Sequence, residues 1–317
     1  MVATQTAQEP GKARRYRQLL ADGGLIVSPG IFDGYSARLV QAAGFATAAT
    51  SGAAIANSLL GIEDIGIMGL HENLEHCRNL IRSVDIPVTC DADNGYGNPV
   101  NVHHTVSRFE EIGAAGVNIE DQVAPKRCGH MPGKEVVSTG EMVKKIEAAC
   151  LARRDDDFLI IARTDALAIE GLDATLARVR AYAKAGADMI FPDAVRNEDQ
   201  IARIVEAAGV PVTINMGFGI RERPTTPLVP LPRLAALGVR RVSLPRMLPA
   251  AAIHGMQAAL AAMREVIETG VGQHRPDLLV GIDEIWNLMG LPVARELEQR
   301  LLTTEQLERR YGAGSAE

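Results

Sequence analysis

The sequence predicts a (β/α)₈ barrel, and three observations carry that prediction. Eight short, β-rich apolar runs recur along the 317 residues. Five are led in by the same punctuation, a helix end and a glycine stop: AAGF at 42–45, AAGV at 114–117, KAGAD at 184–188, AAGV at 207–210 and ALGV at 236–239. The runs are continuously apolar rather than alternating, as parallel strands covered by helices are. Eight strand–helix units closing on themselves make a barrel. An open doubly wound sheet fits less well, because no GxGxxG follows the first strand and no charged or proline-marked edge strand stands out.

In order, the strands are expected at Leu25–Ser28, Phe45–Thr50, Pro87–Cys90, Gly116–Ile119, Phe158–Ala162, Met189–Phe191, Pro211–Asn215 and Arg241–Leu244. Helical segments lie between them, among them Tyr35–Ala43, His71–Arg82, Val102–Ile112, Gly140–Arg153, Leu172–Ala185 and Glu198–Ala208. Residues 1–317 read as one barrel domain, since a barrel of this length counts as one. An N-terminal segment, 1–20, lacks the apolar core of a secretory signal. A C-terminal tail, 281–317, carries helical apolar spacing at Ile285, Leu288, Met289, Leu291, Leu297 and Leu301, and the only tryptophan, Trp286. Its apolar face packs either on a neighbouring subunit or back on its own barrel.

Composition narrows the class. The chain is 47% hydrophobic and 23% charged, ordinary globular values. A net charge of −6 argues against a nucleic-acid or membrane surface. No run of eighteen apolar residues exists, so no membrane span is expected. Cys77, Cys90, Cys128 and Cys150 form no CxxC pair, which fits a reducing, cytoplasmic setting better than a disulfide scaffold.

In a barrel, chemistry sits where strands end. Here those ends are polar: Ser51-Gly52 with Asp64 following, then Asp91-Ala92-Asp93, Glu120-Asp121, Arg163-Thr164-Asp165, Asp193, Asn215 and Pro245-Arg246. The loop after the fourth strand holds Lys126, Arg127, Cys128, Gly129 and His130. Gly129, Pro132 and Gly133 disfavour regular structure there. A thiol among cationic neighbours is poised for proton transfer or nucleophilic attack, because positive charge stabilises the thiolate. The plainer alternative is a solvated basic loop with an incidental cysteine.

Asp64, Asp91, Asp93 and Glu120 crowded together would repel, and one or more would take up a proton. A divalent cation resolves this, and all-oxygen ligands favour Mg²⁺ or Mn²⁺ over Zn²⁺. One or two acids would touch it and the rest would hold its waters; the alternative is a set of helix caps and surface acids. Other patterns fail. Asp91-x-Asp93-x-Gly95 has its glycine one position early for a calcium loop, and Val102 stands at the closing position. Gly129–Lys134 is one residue short of a phosphate loop. His71 and His76 are five apart, on different helix faces, and read as surface histidines.

The runs DADNGYG, IEDQV, KRCGH with a following Gly and Lys, ARTDA and IFPDA resemble the isocitrate lyase/phosphoenolpyruvate mutase superfamily over roughly residues 25 to 300. Length and loop sequence are most similar to its methylisocitrate lyase-like branch. The resemblance implies a Mg²⁺ site, a tetramer with helices exchanged between subunits, and a mobile loop bearing the cysteine. By position, Asp91 resembles the direct metal ligand, and Asp64, Asp93 and Glu120 its water-holding shell. Ser51 and Gly52, followed by Ala53, resemble the grip on the product 2-oxo acid's carboxylate. Arg163, His130 and Asn215 resemble substrate-binding groups, with Lys126, Arg127, Gly129, Asp193 and Pro245 around them. Cys128 resembles the general acid.

The implied reaction splits C2–C3 of a 2-hydroxy di- or tricarboxylate. Ala49 stands where many methylisocitrate lyases have Tyr, Asp193 where Glu is common, and Met131 where Arg is common; an extra GIRERPTTP run follows Asn215. These changes surround the far end of the substrate and spare the metal and thiol machinery. Oxaloacetate hydrolysis and P–C chemistry on phosphonopyruvate are the competing enzyme readings, and a metal-binding pseudoenzyme is the non-enzyme one. The resemblance weighs against both: phosphonate mutases of this superfamily generally lack the cysteine that stands here as Cys128, and oxaloacetate hydrolases tend to carry a serine near Pro245, which has no side-chain donor.

Overall fold

The computed structural model describes residues 10–129, 131–223 and 227–312. Eight parallel strands are present: β1 Ile26–Ile31, β2 Ala48–Thr50, β3 Val88–Asp91, β4 Gly116–Glu120, β5 Leu159–Thr164, β6 Met189–Pro192, β7 Thr213–Asn215 and β8 Arg241–Leu244. Their order is β6-β5-β4-β3-β2-β1-β8-β7. A parallel bridge between Ile190 and Val212 joins the two ends, so the sheet closes as a barrel and not as an open doubly wound sheet. β2 and β7 begin later than expected. Phe45 and Pro211 belong to lead-ins, and Pro211 contributes only its carbonyl, which accepts from the Ile190 N–H at 2.9 Å.

The six predicted helices form within one or two residues of every expected start except the third, which begins earlier, at Pro99. Side-chain caps fix four of these starts. Asp33, Asn98, Ser138 and Asn197 each accept an N–H from the first turn. A further helix, Lys12–Ala21, forms inside the N-terminal segment. It buries Tyr16 completely, in a cluster with Ile26, Leu159, Ile161 and Met189 at the strand starts. Deeper in the barrel, Arg241 is fully buried. It donates to Thr213 at 2.8 Å, Thr89 at 3.2 Å and Asn118 at 3.4 Å.

Residues 1–251 and 252–317 form two compact units. The second contains most of the helix Met247–Thr269 and three shorter ones, Ile282–Leu288, Leu291–Leu301 and Thr304–Tyr311. The expected tail helix is broken at Gly290, which takes a left-handed φ of 88°. Many large apolar side chains of this unit are exposed, including Met256, Leu260, Met263, Ile267 and Trp286. All four cysteines are free thiols. Among the described residues, no helix is long and apolar enough to cross a membrane.

Candidate active site

Asp91, the last residue of β3, is held from four directions. Its Oδ2 accepts the Gly52 N–H at 3.2 Å and its Oδ1 the Asp93 N–H at 3.2 Å. Its own N–H donates to Thr50 Oγ1 at 2.9 Å, and its carbonyl accepts from Asn73 Nδ2 at 2.7 Å. Gly52 must be glycine for this approach, because a Cβ there would sit 2.7 Å from Asp91 Oδ2. Ser51 caps the short helix that Gly52 begins, accepting from Ala54 at 3.3 Å.

The acids find a counterion that the sequence hid. Lys126, 5% exposed, pairs with Asp64 and, at 2.7 Å, with Asp93. Burial alone would depress this ammonium, yet Asp93, Glu120, Asp64 and Asp91 together raise it well above the ordinary lysine range. Burial pushes the Asp93 carboxyl up to about 6, against the pull of Lys126 and with the push of Asp91 and Asp64. Burial also raises Glu120 well above the usual carboxylate range, although Arg163 and Lys126 oppose it. Glu120 Oε1 is buried and has no hydrogen-bond partner among the described residues.

Arg163 is the second hub. It lies 2.9 Å from Asp165, 3.3 Å from Glu120 and 3.3 Å from Asp193, and its guanidinium stacks 5.4 Å from the Phe191 ring centroid. Asn215 donates to Asp193 at 3.1 Å. The cysteine loop is seated on these two hubs. The Cys128 N–H donates to the Asp64 carbonyl at 2.9 Å. Lys134 donates to the Gly129 carbonyl at 2.5 Å and pairs with Asp165 at 2.8 Å. A Cβ on Gly129 would overlap the Asp193 carboxylate and the Arg163 guanidinium, so only glycine allows this seat. Gln122 bridges the loop base, accepting from the Arg127 N–H and donating to the Arg127 carbonyl, both at 2.9 Å.

Of the residues expected at the site, Ser51, Ala53, Asp64, Asp91, Glu120, Lys126, Arg127, Cys128, Gly129, Arg163, Asn215 and Pro245 line one cleft. Three others stand behind it: Gly52 behind Asp91, Asp93 behind Lys126, and Asp193 behind Arg163 and Asn215. His130 lies outside the described residues. His76 is half-buried rather than a surface histidine, its Nε2 lying 2.7 Å from the Phe32 carbonyl oxygen. The sequence reading names Asp165 and Arg246 among the polar strand ends and Lys134 after the cysteine motif but gives none of them a role, and it gives none to Arg223. Arg223 lies in the extra run after Asn215, where no strand end marks it.

Among the described residues, no three His, Cys, Asp or Glu side chains converge closely enough to ligate one ion directly. The donor set still fits a hard cation held by one carboxylate with waters between it and the others. Asp91 faces the cleft, Glu120 has an orphaned buried oxygen, and the acids raise one another's protonation.

Known proteins share this architecture. The family model described as phosphoenolpyruvate phosphomutase matches residues 16–264. A probable 2-methylisocitrate lyase of Corynebacterium glutamicum is 37% identical, over 94% of this chain and 95% of that one. A 2,3-dimethylmalate lyase of Eubacterium barkeri is 37% identical, over 92% and 98%. An oxaloacetate acetylhydrolase solved with 3,3-difluorooxalacetate superposes with a TM-score of 0.84 at 32% identity, covering 92% and 98%. A phosphonopyruvate hydrolase solved with oxalate and Mg²⁺ superposes at 0.78 with 30% identity, covering 93% and 100%. The barrel, the acid-bearing strand ends and these matches over nearly the whole chain place it in the isocitrate lyase/phosphoenolpyruvate mutase superfamily, on the methylisocitrate lyase-like branch.

Proposed function

We propose that this chain is a Mg²⁺-dependent carbon–carbon lyase cleaving a 2-hydroxy di- or tricarboxylate of the 2-methylisocitrate or 2,3-dimethylmalate type. The products are a 2-oxo acid such as pyruvate and a succinate- or propionate-type carboxylate. The observation that carries this reading is the docking of Cys128 over the cleft that Asp91 and Glu120 line, its N–H bonded to Asp64. The reading also rests on relatives named for these two lyase activities.

Asp91 would hold the cation directly, with Asp64, Asp93 and Glu120 holding its waters; Mn²⁺ suits the same oxygen donors. When bound, the cation supplies Lewis acidity to the substrate's 2-oxygen and adjacent carboxylate. Ser51, Gly52 and Ala53 grip the carboxylate of the 2-oxo acid half. Glu120, whose buried Oε1 has no hydrogen-bond partner among the described residues, is the group that takes the hydroxyl proton as C2–C3 breaks. The other half leaves as a carboxylate-stabilised carbanion, and the Cys128 thiol delivers a proton to its carbon. Arg163 and Asn215 orient that half, with Lys126 and Arg127 around it, and the resemblance assigns His130 a substrate-binding role as well. The seat of Gly129 against Arg163 excludes water before the proton moves.

The protein works as a cytoplasmic homotetramer with exchanged C-terminal helices. The exposed Met256, Leu260, Met263 and Trp286 are surfaces such an exchange would cover. Sedimentation of the native chain tests this, and a monomer would refute it.

Pro245 favours the lyase over oxaloacetate hydrolysis, since it offers a hydrated ketone no side-chain hydrogen bond, a deficit of about 1 kcal/mol. The deciding experiment compares kcat/KM for oxaloacetate, 2-methylisocitrate and 2,3-dimethylmalate. Oxaloacetate ahead by tenfold, about 1.4 kcal/mol of transition-state preference, would overturn the lyase reading.

A further inference from the structure

A turn after β7 brings together two guanidinium groups that the reaction above does not use. Asn215 Oδ1 accepts the Gly217 N–H at 2.7 Å, and the Gly217 carbonyl accepts the Arg246 N–H at 3.0 Å. Gly217 has a φ of +54°, and a Cβ on it would meet Arg223 Cδ at 2.8 Å. The Arg223 side chain therefore lies on the same turn that anchors Arg246. Arg223 also stacks on Phe218, 5.1 Å from the ring centroid. Arg246 is aimed by Asn57, whose Oδ1 accepts from Nη1 at 2.9 Å, while Nη2 lies 3.6 Å from Cys128 Sγ. Both arginines line the cleft and are half-buried.

The charge balance separates Arg246 from Arg163. Arg163 is engaged by Asp165, Glu120 and Asp193. Among the described residues, Arg246 has no carboxylate within ion-pair distance; its side chain donates to an amide and a thiol. Burial lowers the Arg223 pKa, Cys128 and Asp193 oppose that, and the neighbouring Arg246 adds to it. Arg246 is thus a half-buried cation beside Arg223 in the cleft, and a guanidinium fork suits a carboxylate.

We propose that Arg223 and Arg246 form a second carboxylate subsite beside Cys128, occupied by the far carboxylate of the departing fragment. The preferred substrate is then a 2-hydroxy tricarboxylate that releases a dicarboxylate, not a dimethylmalate-type acid that releases a monocarboxylate. This rests on the lyase reading of the same cleft. Arg163 with Asn215 holds the carboxylate next to the carbon that Cys128 protonates, and the arginine pair holds the one beyond it.

The test is calorimetric binding of succinate and of propionate to the native protein in Mg²⁺ buffer, repeated with Arg223→Gln and Arg246→Gln. Circular dichroism checks that each variant is folded, and either folded variant suffices. The expected result is succinate binding at least tenfold tighter than propionate. Each variant should weaken succinate tenfold or more and leave propionate within about threefold. Equal affinities in the native protein, or variants that leave succinate binding intact while slowing turnover of every substrate, would overturn the subsite and leave Arg246 as a group that only faces the thiol. Because binding needs no turnover, a protein that distinguishes succinate but cleaves no 2-hydroxy acid would sink the lyase reading and spare the subsite.

Discussion

Replacing Lys126 with methionine probes the acid cluster without altering an acid. The ammonium pairs with Asp64 and with Asp93 at 2.7 Å, and the side chains of all three are 7% exposed or less. Methionine keeps most of the volume and removes the charge. Breaking a buried pair by deleting one partner costs about 3–5 kcal/mol, because the other charge is left uncompensated. At roughly 2–4 °C per kcal/mol, that is a melting-temperature drop on the order of 6–20 °C. Protonation limits the loss. Asp93 sits at about 6 even with Lys126 beside it, and rises further without it. A carboxyl whose folded pKa lies above its unfolded value binds its proton more tightly when folded, so stability falls as pH rises through that window. The variant's deficit should therefore widen from pH 6 to pH 8. Thermal melts of both proteins in EDTA at the two pH values measure it. Mg²⁺ should return part of the lost stability to the variant, since a cation can take over the work of the ammonium. A variant melting within 2 °C of the native protein in EDTA at pH 8 would refute the reasoning.

Three other outcomes are expected. Cys128→Ser should bind substrate almost normally and turn over roughly 10²–10⁴-fold more slowly, a hydroxyl being a far weaker acid than a thiol; a covalent adduct trapped on Cys128 during turnover would contradict its role as proton donor. Gly129→Ala pushes a methyl into Asp193 and Arg163, an overpacking cost of about 1–3 kcal/mol. It should appear as a roughly 10- to 100-fold fall in kcat/KM with an unchanged melting temperature, and activity within twofold of native would mean the loop does not seat there during catalysis. Asp91→Asn should lose Mg²⁺ affinity by calorimetry while keeping the barrel's circular dichroism, and full activity in EDTA would remove Asp91 from the metal site.

The barrel itself was legible because its signals are local. Glycine stops at Gly44, Gly186, Gly209 and Gly238 end helices just ahead of strands, a short apolar run begins each strand, and both operate within ten residues of chain, although Gly116, read as a further stop, is the first residue of β4. The acid-bearing strand ends were legible for a related reason. Once eight parallel strands close, all their C-terminal ends face one mouth, so Asp91, Glu120, Arg163 and Asn215 converge whatever their separation in sequence. The helix Lys12–Ala21 was hidden because four cations surround its few apolar residues, and it is held by burying Tyr16 under strands far along the chain.

Pairing was hidden for the same reason. Lys126 reads as one more cation of a basic loop, and only the fold brings its ammonium against Asp64, 62 residues away. The sequence carries the chemical type of each group, because that is written in the residue. Which charges neutralise one another is set by distances of a few ångströms between distant segments. Only the tertiary structure decided that Lys126 is buried among acids, that Arg163 is engaged by three carboxylates, and that Arg246 faces Cys128 with none among the described residues.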